Sequence, residues 1–338
     1  MNTLILFGAD GWLGKSVVEE LKNTDFQSLG IKNLILQSKD NLYQLSNFKN
    51  VNIKQIKCDF LKPFAFEDLK CFLDKQDIQH LYVIFTTGII HPDKYEYFKK
   101  INFDTLKNIY KLLNNYSLKK FTYISSNSPF GFNKKRIPFD ENSKYNAIGG
   151  YGFSKMRSEM YLLKQNKKKI ITILRAPWFH GKNMPLRQKK FLVSASKGLF
   201  PLIGFGGNLR SIVNVKDLAK ASLLVTFKNR KNDIYWICES NKPMRKIVEI
   251  IKSGNKSFGK KTSMRMNIYI PFGFSSTFFV FDLILQKFGF YNMYLHVFSE
   301  IGQDIFADNS LYLSEFSKYH KFIPIEESIY DEIEEAYN

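Results

Sequence analysis

Short apolar runs alternate with longer stretches in which apolar positions recur every three to four residues. Over the first two-thirds of the chain the runs are Leu4–Phe7, Asn33–Gln37, Val51–Lys57, His80–Phe85, Lys120–Ser125 and Ile170–Arg175. Each is followed by a helix-length pattern or a polar connection. Such alternation predicts strands and helices in turn, and hence a parallel sheet covered on both faces. Leu81–Phe85 and Ile170–Leu174 are almost wholly apolar, as strands buried on both sides must be.

The texture changes after Arg175. Pro177, Gly181, Pro185, Gly198, Pro201, Gly204, Gly206 and Gly207 punctuate a loop-rich stretch. A strand near Ser211–Val215, a helix from Lys216 to about Phe227 and a strand at Asp233–Cys238 follow, the last returning to the main sheet. The pattern predicts an α/β fold: a Rossmann-type doubly wound parallel sheet with a smaller, mostly C-terminal part. The core spans 1–175 and is completed by about 212–240; 176–211 and 241–338 form the substrate-binding part. The apolar run Ile268–Phe281 contains Pro271 and Gly273. It is shorter than the roughly 20 residues a membrane span needs and reads as a buried helix, with interfacial membrane contact as the other reading. The acidic segment Glu326–Glu335 reads as a solvated surface helix.

Composition narrows the class. The 338 residues are 44% hydrophobic and include 32 Phe, enough for a large core and against disorder. Cys58, Cys71 and Cys238 are far apart, so neither a disulfide framework nor a metal knuckle is indicated. A reduced, cytoplasmic setting fits, with no metal. Thr3–Phe7 runs straight into a glycine turn and reads as a first strand, not a signal peptide. The formal charge of +19 is carried by lysines scattered along the whole chain, which points to a Lys-rich surface and away from a nucleic-acid patch.

Two local patterns carry chemistry. Gly8-Ala9-Asp10-Gly11-Trp12-Leu13-Gly14 follows a strand and opens a helix running from Trp12 to Leu21. A turn of this kind lets backbone approach a pyrophosphate, and the helix N-terminus offers amides and a positive dipole end. The end of the second strand, Gln37-Ser38-Lys39, lacks the acid that would hold a ribose 2′-hydroxyl. Lys39 is compatible with a 2′-phosphate, so NAD and NADP both stay open. Asp59, closing the third strand, reads equally as an adenine acceptor or as a turn residue. The second pattern is Tyr151-Gly152-Phe153-Ser154-Lys155. Tyr and Lys four apart share a helix face, and an ammonium beside a phenol favours the phenolate. Tyr151 is therefore expected to titrate below the ordinary value of about 10 and to exchange a proton with a substrate hydroxyl. Ser126, at the end of the fifth strand, is expected at the same oxygen.

In order and spacing these pieces resemble the extended short-chain dehydrogenases/reductases, and within them the NAD-dependent epimerase/dehydratase family. The resemblance covers about residues 1–240. It includes the glycine turn, Cys58-Asp59-Phe60, Thr86-Thr87-Gly88 and Asn102-Phe103-Asp104-Thr105. It continues through Ser125-Ser126-Asn127-Ser128-Pro129-Phe130-Gly131, Tyr151 to Lys155, Leu174-Arg175-Ala176-Pro177, Gly206 to Ser211 and Val215 to Ala219. Phe130 stands where a tyrosine is more usual.

The resemblance implies Ser126, Tyr151 and Lys155 as the catalytic set. It implies cofactor contacts at Gly8, Asp10, Gly11, Trp12, Leu13, Gly14, Lys39, Asp59, Phe60, Thr86, Thr87, Gly88, Asn102, Ser125, Tyr151, Lys155 and Pro177. Ser126, Asn127, Ser128 and Arg210 are implied at the substrate, Arg210 at a diphosphate with Lys182, Arg187, Lys189 and Lys190 nearby. The expected substrate is a nucleotide sugar, epimerised or oxidised by hydride transfer. The alternatives are a hydroxysteroid-type dehydrogenase acting on an apolar alcohol and a non-catalytic NAD(P)-binding assembly protein. A homodimer built on the helices at Tyr95–Asn114 and Tyr151–Gln165 is also implied.

Overall fold

Strand β1 (Asn2–Phe7) is buried from Thr3 onward, and its neighbours inherit that environment. The structure is a computed structural model that describes residues 1–40, 48–257 and 268–337. After β1 come α1 (Trp12–Lys22), β2 (Asn33–Ser38), β3 (Asn52–Lys57), α2 (Ala65–Asp74) and β4 (His80–Phe85). A π-helical turn at Phe98–Asp104 leads into α3 (Thr105–Leu113). Then follow β5 (Leu118–Ser126), α4 (Gly149–Gln165), β6 (Ile171–Ala176), β7 (Trp178–His180), α5 (Leu186–Ser196), β8 (Leu202–Ile203) and β9 (Leu209–Asn214). The chain continues through α6 (Val215–Phe227), β10 (Ile234–Trp236), β11 (Ser240–Pro243), α7 (Met244–Ser257), β12 (Tyr269–Ile270), α8 (Phe272–Lys287), α9 (Met293–Glu300), α10 (Ser310–Phe316) and α11 (Ile325–Tyr337).

The main sheet has the order β3-β2-β1-β4-β5-β6-β10, all parallel. The chain leaves β1 toward β2 on one side and resumes at β4 on the other. That reversal opens a crevice at the carboxyl ends of β1 and β4, where such sheets bind ligands. Helices α1 and α6 cover one face through Val17, Leu21, Leu218 and Val225. Helices α2 and α3 cover the other through Leu69, Leu73, Leu106 and Ile109. A smaller three-stranded sheet, β7-β9-β11, lies apart from the main one.

The structure corrects two sequence expectations. Helix α11 is solvated on one face only, where Glu326, Glu327, Asp331 and Glu334 are exposed; its other face is packed. Ile325, Ile329 and Ile333 recur every four residues and pack against α5 and α7, and Glu332 is buried with its carboxylate 2.8 Å from His180. Nor is the 268–281 run a buried helix: Val280 and Phe281 of α8 are exposed. No helix among the described residues is long and apolar enough to cross a membrane.

Candidate active site

The glycine turn is fixed by contacts that a larger residue would break. Gly8 has φ +79°, and a Cβ on Gly14 would fall 1.9 Å from the Gly8 carbonyl oxygen. The Gly8 amide donates to Gln37 Oε1 at 2.9 Å, while Gln37 Nε2 donates to the Cys58 carbonyl at 2.7 Å. One side chain thus spans the ends of β1, β2 and β3 from the position where the ribose acid was sought. Asp10 is the carboxylate found at this rim: its Oδ2 accepts the amides of Lys39 at 2.9 Å and Asp40 at 3.3 Å. No side chain caps the N-terminus of α1 at Gly11, so none competes there for the first amides, at Trp12 and Leu13.

Beside this turn, Thr86 Oγ1 donates to the Phe7 carbonyl at 2.7 Å. Thr87 Oγ1 and Ser38 Oγ are buried without a hydrogen-bond partner among the described residues. A dinucleotide laid across the crevice fits these features: open helix amides, a glycine cradle and orphaned hydroxyls. Asp59 Oδ1 accepts the Leu61 amide at 3.0 Å, which is the turn role. Phe60 stacks on Phe66 at 5.4 Å.

The second cluster forms at the ends of β4 and β5. Asn102, inside the π-helical turn, pairs with both backbone groups of Ile89 and donates to Ser154 Oγ at 3.0 Å. Insertions of this kind in a helix frequently mark functional sites. Lys155 is buried against Gly88, where a Cβ would lie 3.4 Å from its Nζ. Ser126 Oγ lies 3.2 Å from both Asn127 Oδ1 and Ser128 Oγ, and shares the cavity wall with the Tyr151 phenol.

The expected lowering of Tyr151 by Lys155 does not occur. Burial pushes the phenol up to about 12; the Ser126 hydroxyl opposes the rise and the Glu300 carboxylate adds to it. Lys155 Nζ donates to the Ile124 carbonyl at 2.9 Å and lies 4.8 Å from the centre of the Tyr123 ring. Burial also lowers the ammonium, to about 8, with Glu159 acting in the other direction.

Glu159 anchors this helix from beneath. It accepts from Ser125 Oγ, from Tyr145 Oη at 2.9 Å, and from Arg175 at 3.0 and 3.2 Å. Phe130 packs under the Arg175 guanidinium at 4.3 Å, and Tyr145, stacked on Phe130 at 5.2 Å, carries the hydroxyl that Phe130 lacks.

Above the cluster lies a cavity of about 560 Å³, within the size range of small-molecule sites. Ser125, Ser126, Asn127, Ser128, Tyr151, Trp12 and Pro177 lie at its lining, and so do Arg187, Lys190 and Arg210. Arg210 is half-buried, and its Nη2 donates to the Glu300 carbonyl. The other expected cations turn away: Lys182 pairs with Asp331 at 3.2 Å, and Lys189 donates to the Glu335 carbonyl at 2.8 Å.

The same wall holds residues that the sequence did not single out. His296 Nδ1 lies 2.9 Å from Asp282 Oδ2, and its Nε2 lies 3.5 Å from Glu300. Gln286 Nε2 donates to Asp282 Oδ2 at 2.9 Å, while Gln286 Oε1 accepts the Gly150 amide at 2.8 Å. Burial works against a charged His296, yet Glu300 and Asp282 together raise its pKa, with Arg187 opposing them. The available signal was a lone acid and an amide, four apart, inside an apolar run.

Sheet order and glycine turn are those of a Rossmann-type nucleotide-binding fold. The chain belongs to the NAD dependent epimerase/dehydratase family, whose model matches residues 4–238. Uncharacterized protein y4nL of Sinorhizobium fredii is 30% identical over 323 residues, covering 90% of this chain and 87% of the relative. A Methanocaldococcus jannaschii protein provisionally named UDP-glucose 4-epimerase is 26% identical over 239 residues, covering 68% of this chain and 75% of its own. Among solved structures, dTDP-glucose 4,6-dehydratase from Bacillus anthracis in complex with NAD superposes with a TM-score of 0.70 at 17% identity, covering 100% of this chain and 97% of that one.

Proposed function

We propose that the chain is an NAD(P)-dependent epimerase or oxidoreductase acting at a hydroxyl-bearing carbon of a nucleotide sugar. One observation carries the reading: a single cavity has Tyr151 and Ser126 in its wall together with Arg187 and Arg210. Proton exchange needs the first pair, and a diphosphate needs the second, since guanidinium groups match phosphate oxygens in geometry and charge. The relative named as a UDP-glucose 4-epimerase supports the same substrate class.

The dinucleotide, when bound, supplies the hydride acceptor and donor. Everything else falls to the chain. Gly8, Gly11 and Gly14 with the first amides of α1 would hold the pyrophosphate, and Lys155 with Asn102 and Thr87 would flank the ribose end. Tyr151 holds or takes the proton of the substrate hydroxyl at its Oη, and Ser126 orients that oxygen. A phenol near 12 rests protonated, ready to donate. To accept a proton it needs positive charge brought close, which is the part assigned to the Lys155 ammonium. Epimerisation and net oxidation use the same three side chains.

A hydroxysteroid-type reading draws on the apolar part of the wall, Phe191, Phe200, Met244 and Val297. Three cations in the same wall, Arg187, Lys190 and Arg210, weigh against it. The test of the chemistry is Tyr151→Phe. It should bind cofactor as the parent does and lose about 10²- to 10⁴-fold in turnover. Wild-type turnover in that variant removes Tyr151 from the acid–base role.

A further inference from the structure

Helix α8 is amphipathic with its polarity reversed. Asp282 and Gln286 turn inward and are buried, whereas Val280, Phe281, Leu283 and Ile284 turn outward with 38–59% of their surface exposed. The connection to α9 continues the patch: Phe288 is 72%, Phe290 66% and Tyr294 65% exposed. Between residues 276 and 294 the only outward charge is Lys287. An apolar patch of this extent marks a surface that something covers.

Its rim says what. Phe132 packs on Phe279 of α8 at 5.5 Å, and the exposed Lys134 and Lys135 follow it two and three residues along the chain. The helix's own acid, Asp282, is spent on His296 and Gln286 inside the protein. A second copy of a chain with formal charge +19 would oppose one cationic rim to another, whereas an anionic lipid surface is attracted over the same distance. Outward aromatic and aliphatic side chains with basic neighbours are the pattern of a helix that lies in the headgroup region.

We infer that the exposed apolar face of α8 and the α8–α9 connection, rimmed by Lys134, Lys135 and Lys287, docks the protein peripherally on an anionic lipid membrane. Tyr294 belongs both to this face and to the lining of the cavity above Tyr151. The substrate cavity therefore opens at the edge of the docked surface. The inference is independent of which reaction the site performs.

The test is flotation of the purified chain with phosphatidylcholine vesicles containing about one-third phosphatidylglycerol, and with pure phosphatidylcholine vesicles, in about 0.1 M salt. The expected result is flotation with the anionic vesicles only, falling as salt is raised. The double variant Phe281→Glu/Phe288→Glu lowers the bound fraction about tenfold or more. Its thermal midpoint and far-UV circular dichroism stay at parental values, because both side chains are exposed. Failure of the parent to float with anionic vesicles overturns the inference, as does flotation that the double variant leaves intact. A parent dimer in sedimentation velocity that this variant dissolves, with no vesicle binding, assigns the face to a second copy instead.

Discussion

The backbone amide of Gly150 donates to Gln286 Oε1 at 2.8 Å, joining positions 136 residues apart. Gly150 lies immediately before Tyr151, so α8 holds the first turn of the helix that carries the proposed acid–base. Gly149 has φ +69°, and a Cβ there would lie 2.6 Å from Gln286 Oε1, which is why a glycine meets the amide.

Gln286→Leu keeps the volume but strands the Gly150 amide and removes a donor from Asp282. We expect kcat to fall about ten- to a hundredfold, as small misplacements of reacting groups do, while the dissociation constant for NAD⁺ stays near the parental value. Steady-state kinetics beside a cofactor titration checks this; an unchanged kcat means α8 does not position Tyr151.

Glu159 and Arg175 are both buried, and the carboxylate also satisfies Ser125 and Tyr145. Glu159→Ala leaves a guanidinium without its counter-charge, so a loss of about 3–5 kcal/mol is expected. Urea unfolding reads it directly. A loss below about 1 kcal/mol would falsify the view that this pair anchors α4.

His296 has a pH signature. Its neighbours Asp282 and Glu300 raise the imidazole above its usual 6.5, against burial and Arg187, and Tyr291 lies 5.7 Å away without charge at neutral pH. A base raised on folding adds stability that is complete below the unfolded value of about 6.5 and is lost as pH rises through the folded one. The gap in urea midpoint between the parent and His296→Asn is therefore wider at a pH of about 5.5 than at about 9. A gap that does not change with pH shows that the imidazolium is not favoured here.

Arg210→Met tests the anion end of the cavity. Removing a charged donor to phosphate costs about 1.5–3 kcal/mol, or about ten- to a hundredfold in KM for a nucleotide sugar. Cofactor affinity should not move. Equal KM values for parent and variant mean that Arg210 does not meet the diphosphate.

Much of the fold is legible because parallel strands buried on both faces appear as unbroken apolar runs. Strands β1, β2, β4 and β6 fall within a residue or two of where the pattern puts them. The glycine turn is legible for a steric reason: no other residue fits at Gly14. What stays hidden is tertiary. Hydrophobicity alone cannot say whether an apolar helix faces in or out, and for α8 only the spacing of Asp282 and Gln286 discloses that the polar side is inside. The three isoleucines of α11 were masked by its glutamates. Sequence spacing set Lys155 beside Tyr151 on the helix, yet the direction of its Nζ, toward the Ile124 carbonyl, depends on a strand about thirty residues earlier.

The central claim is the turnover of a nucleotide sugar with the dinucleotide as hydride carrier. It is tested most directly by incubating the purified chain with several UDP- and dTDP-hexoses and sub-stoichiometric NAD⁺ or NADP⁺. Anomeric protons are followed by NMR and reduced cofactor by absorbance in the same samples. Conversion of at least one sugar is expected, beyond the amount of cofactor if the reaction is epimerisation, or matched by reduced cofactor if it is oxidation. No conversion of any nucleotide sugar, together with turnover of a hydroxysteroid or another apolar alcohol, would contradict it.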